Sequence, residues 1–180
     1  MIQERLPAHY QTVVIDGCDG TGKTTLAGRL AARGFTVVHF GPTPSGVDLA
    51  DRYRNVLAQN GRLALDRCFV SELVYGPLFR GRSRISWATV LELATAVAAR
   101  GGVFVHLTGS TDTVRSRLFA RDAVAPPAAT IEAILHAYQE VFARLAEHTP
   151  VIHLDINTTT PTRGPLSAGA ADDPSPFGDG

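Results

Sequence analysis

Apolar runs rich in Val, Ile and Phe recur along the chain, with stretches of helical period between them. The runs at 12–16, 35–40, 63–66, 103–107 and 151–154 are short and nearly uninterrupted in apolarity. That texture suits central strands of a parallel sheet, which bury both faces and so do not alternate. Apolar residues spaced three and four apart predict helices over 23–32, 47–59, 87–99, 111–119 and 130–147. Strand and helix alternating in this way predict an α/β fold, a doubly wound five-stranded parallel sheet with helices on both faces.

Two stretches break the rhythm. Residues 121–130, RDAVAPPAAT, have little to bury and read as a mobile loop between two helices. From Asn157 the chain becomes NTTTPTRGPLSAGAADDPSPFGDG, so a disordered polar tail is expected over 157–180. The remainder, 1–156, reads as one domain, since 180 residues supply one sizeable core and not two. No internal repeat is present.

Charge narrows the chemistry. The formal net charge is zero and charged residues make up 19%, so no bulk field draws in nucleic acid or an anionic membrane. Phosphate recognition must therefore be local. No run is long enough to cross a bilayer. Cys18 and Cys68 do not form a disulfide-like framework and no basic-plus-apolar leader opens the chain at Met1, so a reducing, cytoplasmic setting is expected.

The local site is legible in Gly17-Cys18-Asp19-Gly20-Thr21-Gly22-Lys23-Thr24, which satisfies G-x-x-x-x-G-K-[ST] between a predicted strand and a predicted helix. Gly17, Gly20 and Gly22 allow backbone N–H groups to converge on a polyphosphate, and the helix start adds its positive end. Lys23 is the only lysine in the chain, whose other sixteen basic side chains are arginines. A compact ammonium with three rotatable donors fits between β- and γ-phosphate oxygens, where a planar guanidinium does not. Residues Gly17 through Thr25, Thr25 included, are thus expected to hold the phosphates of ATP, with the Thr24 hydroxyl on Mg²⁺. A guanine-reading N-K-x-D motif would need a second lysine, and motor or transport ATPases need more chain, which leaves a small-molecule kinase as the leading class. Asp66 ends the third apolar run, from which a carboxylate reaches Mg²⁺ or its water, and Arg67 follows on the same rim.

The loop GCDGTGKTT and the segment DRCFVSELVYG together resemble the thymidylate kinase family and its relatives among P-loop deoxynucleoside and nucleotide kinases. Asp66, Arg67, Ser71 and Tyr75 keep that family's spacing. The resemblance implies that Arg67 grips phosphate in transit, that Tyr75 packs near the sugar, that Ser71 belongs to the acceptor site, and that Asp19 contacts the acceptor's sugar hydroxyl. A weaker match is RLFARD, where Arg117 and Arg121 share a helical face and would open a lid near 117–130 that supplies cations to the transferring group. Some family members carry an arginine in the loop itself; here that position is Gly20, which leaves the lid as supplier.

The chain also departs from that family. The interval between loop and Asp66 is short, and the family's base-contacting Phe and Arg helix has no counterpart, so the base stays open. In place of an Arg-Glu-Pro-like turn stands HFGPTPSG, which makes Arg52, Arg54 and Arg80 candidates for an acceptor phosphate unless the acceptor carries none. The family's last helix is replaced by the polar tail, so one sheet face is expected to be thinly covered or shared with another subunit; dimers are common in the family, and a homodimer is an open expectation. Arg80, Arg82 and Arg84 form a basic cluster, while His39, His106 and His153 lack metal-ligand spacing and read as core or rim histidines. Cys18 and Cys68 both stand at strand exits, where a lowered thiol pKa is expected without redox control. The resulting expectation is ATP- and Mg²⁺-dependent transfer of the γ-phosphoryl to a deoxynucleoside monophosphate. Alternatives are a nucleoside or modified-base acceptor, possible within DNA but not favoured, and a P-loop ATPase or regulator that transfers nothing.

Overall fold

The computed structural model describes residues 9–41, 44 and 46–157. The predicted tail beyond Asn157 lies outside them. In chain order the elements are β1 Thr12–Gly17, α1 Lys23–Ala31, β2 Thr36–His39, α2 Leu49–Leu57, β3 Leu63–Asp66, α3 Phe69–Arg80, α4 Trp87–Ala99, β4 Gly102–Thr108, α5 Thr111–Asp122, α6 Ala128–Ala146 and β5 Val151–Asp155. The five strands form one sheet in the order β2-β3-β1-β4-β5, every pairing parallel. Winding therefore reverses beside β1, and the crevice at the carboxyl ends of β1 and β4 is the place where such sheets take ligands.

Each strand divides its residues between two cores. Val14, Leu63, Leu65 and Phe104 face one side, where Tyr53, Phe69, Val90, Leu118, Tyr138 and Phe142 of the helices α2 to α6 complete the larger cluster. Val13, Ile15, Ala64, Val103, Val105 and Leu107 face the other side, where Leu26, Ala27 and Leu30 of α1 pack. Among the described helices α1 alone contributes to that second cluster.

The structure corrects several element boundaries. β2 and β5 are edge strands and half-exposed, not central and buried like β1, β3 and β4. α2 begins after Asp48, whose side chain accepts from the Asp51 amide at 3.0 Å and so caps the helix two residues later than expected. α3 occupies the segment read only as a motif. The expected 121–130 loop shrinks to 123–127, because α5 runs on to Asp122 and α6 starts at Ala128.

His106, on β4, supplies a test of the larger core. It is buried, stacks on Phe142 at 4.4 Å, and its Nδ1 lies 3.1 Å from His153 Nδ1 on β5. Burial, reinforced by His153, pushes its pKa down to about 4. Between that value and the ordinary ~6.5 the unfolded chain binds the extra proton, so stability rises with pH across the window and is lost on acidification. We expect His106 to cost about 2 kcal/mol of stability on going from pH 7 to pH 5. Urea unfolding of His106→Phe should show that increment removed; an unchanged difference between the two pH values would contradict it.

Candidate phosphate-binding and acceptor site

Asp16, the last residue but one of β1, and Asp66, the last of β3, serve opposite faces of the sheet: Asp16 is bound by residues of α3 and α6, Asp66 by Thr24 of α1. The phosphate loop runs between Asp16 and Lys23. Gly17 has φ +150°, and a Cβ there would stand 2.1 Å from the Leu107 carbonyl oxygen of β4, so only glycine fits. A Cβ at Gly20 would lie 3.1 Å from both Leu118 Cγ and the Val114 oxygen of α5. An arginine at Gly20 would thus run into α5, the helix that carries Arg117 and Arg121. Gly22 caps α1 without a side-chain bond, leaving the first-turn N–H groups to another acceptor.

Lys23 is 5% exposed, and its Nζ donates to the Gly17 oxygen at 2.8 Å, the Cys18 oxygen at 2.9 Å and Asp19 Oδ1 at 3.0 Å. Arg67 reaches the same Asp19 oxygen through Nη2 at 2.7 Å. It does so from a left-handed backbone, φ 71°, rarely adopted by a residue with a side chain, with its own N–H held by the Ile15 oxygen at 2.9 Å. Burial alone would raise the Asp19 carboxyl, but Lys23 and Arg67 outweigh it and hold the pKa below the ordinary value. The loop's ammonium and the guanidinium after β3 therefore converge on one point.

Thr24 Oγ1 donates to Asp66 Oδ2 at 3.0 Å, and Asp66 Oδ1 is buried without a hydrogen-bond partner. An orphaned carboxylate oxygen beside a hydroxyl at the loop's end suits Mg²⁺, which takes few protein oxygens and completes its shell from phosphates and water. Among the described residues no group of three or more His, Cys, Asp or Glu forms an all-protein cage.

Beyond Asp19 and Arg67 opens a cavity of about 550 Å³. Phe40, Tyr53 and Tyr75 supply its aromatic walls, and Arg80 and Arg84 its basic end. Both arginines bind Glu72, Arg84 Nη2 at 3.1 Å, and the Arg84 amide adds a bond at 2.9 Å. Burial pushes the Glu72 carboxyl up, but these donors override it and lower the pKa.

The remaining expected residues fall as follows. A Cβ on Gly22 would be 3.9 Å from Arg117 Nη1, so Arg117 stands beside the loop. Arg121 is exposed, paired with Asp122 at 2.6 Å, and touches Asp19 only by longer-range attraction. Thr21 is buried and donates to the Cys18 oxygen at 2.7 Å; Thr24 and Thr25 are exposed at the start of α1. Ser71 lines the cavity, yet its hydroxyl is bound to Asp16 at 2.8 Å. Arg54 is held by Glu92 and Asp51 on the outer face of α2 and does not line the cavity. The thiols run opposite to expectation: burial pushes Cys18 up to about 11 and Cys68 well above its ordinary value.

Sequence reading missed the group that knits the site together. Asp16 accepts from the Gly17 amide at 2.9 Å, the Cys68 and Ser71 amides at 3.2 and 3.0 Å, and the Tyr138 hydroxyl of α6 at 2.9 Å. The loop, the start of α3 and α6 are pinned to one carboxylate. Its signal was an acid closing the apolar run TVVI.

No family model matches the chain, and no curated protein matches it in sequence. Solved structures do resemble it. The Bacillus subtilis YorR protein, in complex with phosphorylated GDP, matches with a TM-score of 0.71 at 21% identity, over 80% of this chain and 85% of that one. A gluconokinase from Sinorhizobium meliloti gives 0.52 at 18% identity, over 81% of this chain and 82% of that one. Deoxyadenosine kinase from M. mycoides, with products dCMP and a flexible dCDP bound, gives 0.51 at 16%, over 80% and 89%. At these identities the likeness shows the fold alone, an α/β architecture shared with these proteins.

Proposed function

We propose that the protein is an ATP-dependent phosphotransferase that moves the γ-phosphoryl group to a deoxynucleoside monophosphate. The observation that carries this reading is the sharing of Asp19 Oδ1 by Lys23 and Arg67, which sets two cations from different segments at the border between loop and cavity. Donor phosphates lie along Gly17 to Thr25 and the acceptor lies in the cavity. Lys23 and Arg67, with Arg117 and Arg121 from α5, balance charge as it shifts; positioning and electrostatics do most of the work. Thr24 and Asp66 would hold Mg²⁺, which would supply charge neutralisation to the donor phosphates. Asp19 contacts the acceptor's sugar and Tyr75 packs near it, while Arg80 faces the acceptor's far end and Ser71 shapes the cavity wall.

Two features favour a phosphate acceptor over a neutral nucleoside. The cavity carries Arg67, Arg80 and Arg84 against Asp19 and Glu72, three cations to two anions. Asp19, its pKa lowered, is a weak proton acceptor for a hydroxyl, whereas a phosphate arrives already ionised and needs no base. Incubation with γ-labelled ATP and a panel of monophosphates, nucleosides, gluconate and DNA tests the proposal. Label is expected in a deoxynucleoside diphosphate, at a kcat/KM about tenfold or more above that for the matching nucleoside. Label on a sugar hydroxyl would favour the nucleoside reading; release of phosphate indifferent to every acceptor would favour an ATPase.

A further inference from the structure

His39, expected as a core or rim histidine, is bound to Asp66, the carboxylate assigned to the metal position. β2 and β3 pair in parallel with His39 opposite Asp66, and the Phe40 amide donates to the Asp66 carbonyl at 3.0 Å, which fixes His39 from the following residue. Its Nδ1 lies 3.0 Å from Asp66 Oδ2, the oxygen that also accepts from Thr24. An ionised carboxylate only accepts, so Nδ1 carries the hydrogen. The ring itself is 57% exposed and Asp66 is 2% exposed, so the imidazole is the outer brace of a buried acid.

We infer that His39 is a positioning residue that orients Asp66 toward Mg²⁺, an inference that rests on the phosphate-loop reading above. With Oδ2 tied by Thr24 on one side and His39 on the other, rotation of the carboxylate is blocked and Oδ1 is left uncommitted. Donors that hold a metal's carboxylate in this way govern metal affinity without touching the metal. Among the described residues β2 is the edge of the sheet, with β3 its one neighbouring strand.

The test is calorimetric binding of ATP to the full chain, with and without Mg²⁺, for wild type and for His39→Ala, His39→Asn and His39→Gln. Asn places an N–H near the position of Nδ1, Gln near that of Nε2, and Ala supplies none. The gain in ATP affinity brought by Mg²⁺ should fall about tenfold in Ala and Gln and be restored in Asn, with metal-free ATP affinity unchanged in all. Equal Mg²⁺ gain in wild type and Ala, or Asn no better than Ala, would overturn the inference while leaving the phosphate loop intact. Failure of wild type to bind ATP would instead overturn the phosphate-loop reading and His39 with it.

Discussion

Lys23→Ala is expected to lower phosphoryl transfer by about 10³-fold or more on every acceptor, a loss of about 4 kcal/mol of transition-state stabilisation. The chain holds no other lysine, and this one is buried against the loop's own carbonyls, so no neighbour can take its place. Arg67 would remain on Asp19, but from the strand side and in a strained backbone that fixes its reach. Lys23→Arg should fail nearly as badly, because a planar guanidinium does not fit a pocket in which the ammonium is 5% exposed and bonded to the Gly17, Cys18 and Asp19 oxygens. Steady-state transfer from labelled ATP, beside a circular dichroism melt to show the fold retained, measures both. A folded Lys23→Ala protein with a tenth or more of wild-type activity would contradict the role given to this residue.

Asp16→Asn is expected to cost about 3 kcal/mol of stability, the largest effect for a change of one atom in this protein. Both carboxylate oxygens already accept: Oδ1 from Gly17 N, Ser71 Oγ and Tyr138 OH, Oδ2 from the Cys68 and Ser71 amides. An amide group, in either orientation, must aim its N–H₂ at a buried donor and leave that donor unpaired. Ser71→Ala and Tyr138→Phe each delete a single donor and should cost only about 1 kcal/mol. Urea unfolding at neutral pH ranks the three. If Asp16→Asn proved no worse than the single-donor deletions, the carboxylate would not be the knot described here.

What could be read from the sequence was what lies close together along it. The phosphate loop is contiguous, and its glycines and lysine declare themselves by type; Asp66 and Arg67 follow a buried run that marks a strand. A five-stranded parallel sheet followed from alternation, but the strand order, and with it edge and centre, did not, since β2 and β5 read as apolar runs like the interior strands and differ in having a neighbour on one side. α3 was missed because Gly76 and Pro77 interrupt its period. Gly76 is there for a reason local composition hides: a Cβ would come within 2.8 Å of the Arg82 oxygen as the chain turns back over the helix. The Asp16 network joins residues 55 and 122 positions apart, and the Asp66 to His39 bond spans 27, so neither leaves a trace in spacing. Ser71, carried over by resemblance as an acceptor residue, proves to be bound to Asp16 as well as lining the cavity. Cys18 and Cys68 lie where expected, but burial moves their thiols away from reactivity.

The central claim is that residues 17–24 hold a nucleoside triphosphate against Asp66 and Arg67. Titration of ATP into the full chain by calorimetry, in the presence of Mg²⁺, tests it most directly. The account predicts one saturable site per chain with micromolar affinity, abolished by Lys23→Ala and weakened when Mg²⁺ is chelated. No measurable binding at millimolar ATP, or binding that Lys23→Ala leaves untouched, would contradict it.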